Sequence, residues 1–228
     1  MRIVPLLIAT LALWGCASPK PTVSPPGELA RESSSRTGVL FGSIGIAEGG
    51  VRYPEIVWRR KGGRETGTIR AGLPGPTAST TLRSADGVTV LPYSIRLPAG
   101  EYEIIGWSAV EHYEQNDMLM IAHWTADQKF VVPFSVAEGG ATYLGELVPY
   151  ANPVRFRKLF WVFGTKEKTG IHFRVTDRLD RDRSALDPAG SAPPPADRVT
   201  NAIATLLAKG APVFRSDPPA PVPAPARK

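Results

Sequence analysis

The chain has 228 residues, of which 43% are hydrophobic and 21% charged, with a formal net charge of +6. That length supports one β-rich domain or two small ones with a real core, and the balance excludes both a polytopic membrane protein and a wholly disordered chain. With 22 Gly and 23 Pro, long helices and coiled coils are excluded too, and a single Cys leaves no disulfide framework and no multi-cysteine zinc site.

At the N-terminus, Arg2 supplies a short positive region ahead of an apolar run over residues 3–14. Twelve residues at about 1.5 Å each make roughly 18 Å of helix, against a hydrocarbon core of about 30 Å. The run is too short to span a membrane and reads as the apolar centre of a secretory signal, residues 1–15. Leu13-Trp14-Gly15-Cys16 resembles the bacterial lipobox, in which the cysteine is lipidated and the chain is cleaved before it. The resemblance implies acylation of Cys16, the only thiol present, and a lipid bilayer as the first partner. Several acyl chains hold a protein far more firmly than one. Ala17 follows the cysteine where Asp would favour inner-membrane retention, so the resemblance implies the outer membrane, with the protein facing the periplasm.

Residues 16–37 are rich in Pro and Ser and have no apolar period, which predicts a flexible tether. From residue 38 to 176 the sequence punctuates like an all-β domain. Apolar or alternating runs cover residues 39–46, 51–59, 65–69, 88–97, 101–110, 118–124, 129–136, 142–148, 154–163 and 170–175. Between them lie turn formers: Gly49-Gly50, Gly62-Gly63, Asp86-Gly87, Pro98-Ala99-Gly100, Gly139-Gly140 and Asn152-Pro153. Residues 73–81 form a longer loop, and no internal repeat is visible. The number and spacing of the runs predict a mainly β chain folded as a β-sandwich. Leu159-Phe160-Trp161-Val162-Phe163 is apolar at every position, which suits either a central strand covered on both faces or a contact surface.

Two helices are predicted next, making a helical extension over residues 177–210. The first, 176–186, begins with capping residues and carries Asp177/Arg181 and Arg178/Asp182 four apart, with a thin apolar stripe from Val175, Leu179 and Leu186. The second, 197–209, lines one face with Val199, Ala202, Ile203 and Leu206, and Gly210 and Pro212 stop it. Residues 211–228 are Pro- and Ala-rich and read as an extended, disordered tail.

The turn and strand Leu97-Pro98-Ala99-Gly100-Glu101-Tyr102-Glu103-Ile104 resemble those of transthyretin-type, carboxypeptidase-regulatory-like sandwiches. Residues 134–145 (FSVAEGGATYLG) are similar to a hairpin of uncharacterised bacterial lipoproteins of that shape. Together these motifs cover about twenty residues. They imply a fold and a compartment, and they transfer no catalytic residue.

Motifs for chemistry are sparse. G-x-S-x-G, H-E-x-x-H, the P-loop and the dinucleotide fingerprint are all missing from the sequence. No Lys or Arg occurs from residue 97 to 128, while Glu101, Glu103, Glu111, Glu114, Asp117 and Asp127 are acidic. Glu111, His112, Asp117 and His123 are therefore candidate ligands for a divalent metal, since carboxylate oxygen and imidazole nitrogen suit such ions. The plainer alternative is a solvated hairpin tip. Arg59, Arg60, Lys61 and Arg64 form a basic tip suited to an anionic partner, either lipid head groups or an acidic envelope protein. An edge hairpin kept soluble by charge would look the same. Nucleic acid is not expected as a partner for a secreted chain, and no cofactor is expected.

The sequence thus predicts a lipid-anchored, non-catalytic binding or scaffolding module of the cell envelope. The rival expectation is a metal-dependent or hydrolytic envelope enzyme centred on His112 and His123.

Overall fold

The alternating runs pair into β-sheets in a computed structural model of the chain, which describes residues 19–24, 36–46, 51–74, 82–83, 88–115, 118–126, 130–152, 155–158, 164–167, 170–186 and 195–216. In chain order the strands are β1 (Pro19–Ser24), β2 (Thr37–Ile46), β3 (Val51–Arg60), β4 (Gly67–Pro74), β5 (Leu82–Arg83), β6 (Thr89–Pro98), β7 (Gly100–Gln115) and β8 (Met118–Thr125). Then come β9 (Val132–Val136), β10 (Ala141–Ala151), β11 (Arg155–Lys158), β12 (Gly164–Glu167) and β13 (Ile171–Thr176). Helix α1 (Leu179–Ser184), a 3-10 turn (Ala196–Arg198), β14 (Val199–Asn201), α2 (Ile203–Lys209) and β15 (Phe214–Arg215) complete the order.

Two sheets dominate. The first runs β1-β4-β3-β7-β8, and β9 pairs with the start of β7 on the side opposite β3. The second runs β15-β13-β10-β2-β6-β5, with β14 added to β10. Among the described residues, β11 and β12 pair only with each other. The described residues therefore make a mainly β fold, two large sheets and a two-stranded ladder with two short α-helices, and the alternation predicts a mainly β chain.

Why the sheets close on one another is visible in the alternation. Along β9, Val132, Phe134 and Val136 are buried while Pro133 and Ser135 are exposed. A single apolar core takes Ile56, Trp58, Tyr102 and Trp107 from the first sheet and Leu40, Ile44, Leu144 and Phe173 from the second. Aromatic contacts tie it together: Tyr102 stacks on Phe134 at 5.4 Å, and Trp107 meets Phe173 edge-on at 6.0 Å across the two sheets. Each such buried side chain contributes on the order of 1.5–3 kcal/mol against the entropy of ordering the chain. The Tyr102 hydroxyl is not wasted, donating to the Pro98 carbonyl at 2.7 Å.

Two of the expected turns stand at the predicted places, while Gly49-Gly50 and Asp86-Gly87 lie outside the described residues. Gly62, at φ 78°, makes the β3–β4 turn, and Gly139, at φ 63°, makes the β9–β10 turn.

The structure differs from the sequence expectation in several places. Residues 19–24, inside the stretch read as tether, form strand β1 along β4. The first helix begins only at Leu179, because β13 continues through Thr176 to pair with Glu146. The second predicted helix divides, as β-branched Val199 and Thr200 pair parallel to Ala141 and Thr142 where β10 extends beyond β13. Tertiary pairing there overrides helical periodicity, and α2 starts at Ile203, whose N–H bonds the Asn201 side chain at 3.0 Å. Of the all-apolar run, residues 159–163 lie outside the described residues. The stretch read as a disordered tail, residues 211–228, differs at its start: Phe214–Arg215 form β15 beside β13, with Phe214 buried in the core, while residues 217–228 lie outside the described residues, as do Cys16 and the predicted signal.

Candidate functional site

The densest polar cluster lies on the outer face of the second sheet, under α1. Its position follows from the central strand pair β2–β10, which is parallel. Phe41 pairs with Tyr143 and Ser43 with Glu146, so three steps on β10 match two on β2. That extra residue is a β-bulge, and it resets the alternation so that Tyr143 and Glu146 both reach the polar cluster. Gly145 makes the bulge at φ 93°, where a Cβ would lie 3.1 Å from both Ile203 and Val175. Opposite it, Gly42 leaves room for the Gly145 carbonyl, which would lie 2.7 Å from any Cβ there.

α1 lays its side chains into this frame. Asp182 is fully buried and accepts from the Ser43 hydroxyl and the Tyr143 hydroxyl, both at 2.8 Å, through one oxygen. Its other oxygen takes Arg181 Nε at 2.9 Å and Nη2 at 2.5 Å. Arg181 also donates to the fully buried Glu146 at 2.6 Å and to the Ser43 hydroxyl at 3.0 Å, while Arg174 stands 3.8 Å from the same glutamate. Around them Phe41, Ala141, Tyr143 and Leu186 form a second apolar cluster, with Leu179 packed against it.

Electrostatics follow from that geometry. Burial raises the Asp182 carboxyl above the ordinary carboxylate range, against the pull of Arg181, Tyr143 and Ser43. Burial also works against the Arg181 charge, but Asp182 and Glu146 more than offset it, so its pKa is raised. The Tyr143 hydroxyl is held far above its usual range by burial and by Asp182, and it stays a donor. The hydroxyl of Ser43 donates to the Asp182 carboxylate and accepts from the Arg181 guanidinium, so it is fixed on both sides. Chemically this is a joint between helix and sheet. An open cleft lies outside it, lined by Asp177, Arg178, Leu179, Asp180 and Arg181.

A second buried polar site sits farther along β10 and β13. His172 is fully buried, stacks on Tyr150 at 5.9 Å, and bonds Asn152 through Nδ1 at 2.8 Å. Burial first, then the nearby Arg215 charge, lowers its pKa to about 4.

The β7–β8 register brings three of the four metal-ligand candidates, Glu111, His112 and His123, to neighbouring positions of one strand pair. Glu111 and His112 lie on β7 opposite Ala122 and Ile121, while His123 lies on β8 opposite Val110 and is exposed. Asp117 and the side chains of Glu111 and His112 fall outside what the structure describes, so the candidate set is not tested; among the side chains described elsewhere, no group of three or more acidic, His or Cys residues is placed to hold a metal. In the basic tip, Arg59 pairs with Glu103 at 3.0 Å, directly across β3–β7. Part of the acidic stretch thus faces part of the basic one. Lys61 and Arg64 are exposed.

Sequence reasoning read Asp182 and Arg181 as surface partners of Arg178 and Asp177 at helical spacing. Their true partners, Ser43, Tyr143 and Glu146, lie 35 to 139 residues away. Asp177 instead accepts from the Leu179 N–H and from Asn201. Only the run of charges around a short helix, with too thin an apolar stripe to dock it, hinted at polar attachment. Among the described residues no helix is long and apolar enough to cross a membrane.

No family model and no curated protein matches the chain. Among solved structures, a leucine-rich repeat protein from Bacteroides thetaiotaomicron VPI-5482 is similar over 50% of this chain, at 16% identity and a TM-score of 0.30. The match spans only 14% of that protein's length, and a likeness so low carries neither fold nor function across.

Proposed function

We propose that the protein is a lipoprotein of the bacterial outer membrane, held by an acylated Cys16 and facing the periplasm, where its two-sheet domain serves as a non-catalytic binding or scaffolding module. One observation carries the reading: the chain's only thiol stands at the end of Leu13-Trp14-Gly15-Cys16, after a positively charged start and a short apolar run. The domain's polar chemistry supports a module rather than a catalyst. Among the described residues, the fully buried carboxylates Glu146 and Asp182 are engaged by Arg181, Ser43 and Tyr143. Lys61 and Arg64, exposed beside the β3–β4 turn, offer charge to anionic head groups or an acidic partner.

Intact mass of the protein extracted from native membranes, beside a Cys16→Ala variant, tests this reading. Cleavage before Cys16 with added acyl chains, lost in the variant, is the expected result. An unmodified mature chain, or an uncleaved one, overturns it.

A further inference from the structure

β1 stands where the sequence predicts a flexible tether. Its backbone pairs antiparallel with β4, Pro19 with Pro74 at one end and Ser24 with Thr68 at the other, and it also runs close to β6 of the second sheet. The strand is thus held from two sides. Cys16 precedes Pro19 by three residues, and three extended residues reach at most about 11 Å. A free linker from Cys16 to Thr37 would instead spread about 25 Å on average and up to about 75 Å. The pairing therefore shortens the leash and fixes where on the domain it enters.

We infer, resting on the lipid anchor proposed above, that the end of the first sheet where β1 starts and β4 stops is a membrane-contact surface, held against the head groups of the bilayer that carries the anchor. The length of chain selects this occupant. A single helix with its side chains is already about 10–12 Å across, so a folded partner does not fit between Pro19 and the bilayer. The basic turn lies at the other end of the same strands. β4 runs eight residues, about 23 Å from end to end, and Lys61 and Arg64 are exposed on the turn that precedes its first residue, Gly67. With the Pro74 end down, those charges stand well beyond the screening length of about 8 Å at physiological ionic strength. Their counterpart is then an acidic partner in the periplasm, not the head groups beside Cys16.

The test uses the full acylated chain in vesicles of phosphatidylethanolamine and phosphatidylglycerol, some of whose head groups carry a nitroxide quencher. Acylation occupies Cys16, the one Cys of the chain, so an introduced cysteine is the only thiol that a fluorophore can take. A fluorophore at Pro74→Cys, or at Arg52→Cys toward the same end of the adjacent β3, is expected to be quenched several-fold more than one at Arg64→Cys. A long Gly/Ser insert between Ala17 and Ser18 lengthens the leash without touching β1, and is expected to weaken the quenching at the Pro74 end several-fold. Equal quenching at the two ends, none at Pro74→Cys and Arg52→Cys, or quenching unchanged by the insert overturns the inference. Intact mass of the same preparation separates the two readings. A chain without acyl groups overturns the anchor and this contact with it, whereas an acylated chain without the difference between the ends overturns the contact alone.

Discussion

The Tyr143 hydroxyl donates to Asp182 at 2.8 Å and accepts the backbone N–H of Arg178 at 3.0 Å, so one phenol holds both the start and the body of α1. The helix is only six residues long and has no side-chain cap at its start. On its own such a helix would not persist. Its order comes from the sheet beneath it.

Asp182→Ala is expected to leave the Arg181 guanidinium and the hydroxyls of Ser43 and Tyr143 without their shared acceptor in a buried site. The expected loss is about 3–5 kcal/mol, the range for breaking one half of a buried ion pair. Urea unfolding of the two proteins measures it. A loss below about 1 kcal/mol would show that water reaches the joint.

Tyr143→Phe keeps the ring contact with Phe41 at 5.1 Å and removes only the hydroxyl. The expected cost is about 1–3 kcal/mol. Ser43→Ala removes the other hydroxyl on the same Asp182 oxygen, so the two changes should not add. A double-mutant cycle giving a coupling energy indistinguishable from zero would deny the shared acceptor.

Gly145→Ala and Gly62→Ala separate backbone strain from packing. Both glycines have positive φ, 93° and 78°, but a Cβ at Gly145 meets Ile203 and Val175, whereas one at Gly62 meets nothing within 4 Å. Gly62→Ala should therefore cost about 1–2 kcal/mol from conformation alone. Gly145→Ala should cost clearly more, read as the difference between the two denaturation midpoints. Equal losses would mean that the bulge yields to the added methyl group.

His172 should make stability depend on pH in a defined window. Folded, it titrates near 4; unfolded, near 6.5. Between those values the unfolded chain binds the extra proton, so stability falls as pH falls from about 6.5 to 4 and this contribution levels off below that. The full loss is on the order of 3 kcal/mol. His172→Phe retains an aromatic ring beside Tyr150 and removes the titration. Stability measured against pH should then lose that slope relative to wild type, and an unchanged difference across the window would overturn the assignment.

Much of the fold was legible because strand chemistry is local. The alternation over residues 51–59 and 88–97 and the glycine turns at 62 and 139 are short-range patterns, and the strands formed where they stand. Residues 197–209 misled because Val199 and Thr200 satisfy a helical stripe and a strand equally, and only the exposed hydrogen-bonding groups of β10 decide between them. The joint was not legible at all. Ser43 sits in a strand of small and aliphatic residues, and nothing in the spacing of Asp182 points to a partner 139 residues earlier. The bulge at Gly145 left one local cue, since an isolated glycine inside a strand pattern suggests a bulge, but the strand it faces lies about a hundred residues earlier.

The parallel β2–β10 pair also fixes an order of assembly. β2 can meet β6 once the chain reaches residue 98, but it waits for β10, and Ser43 waits for Asp182. Contacts of such long separation are slow to form and give no reward until the intervening chain is in place. In a polypeptide that is made, or passed through a membrane, from its N-terminus, the outer side of β2 therefore stays open until most of the chain has emerged. The last charged side chains of that joint to arrive, Arg181 and Asp182, close it together.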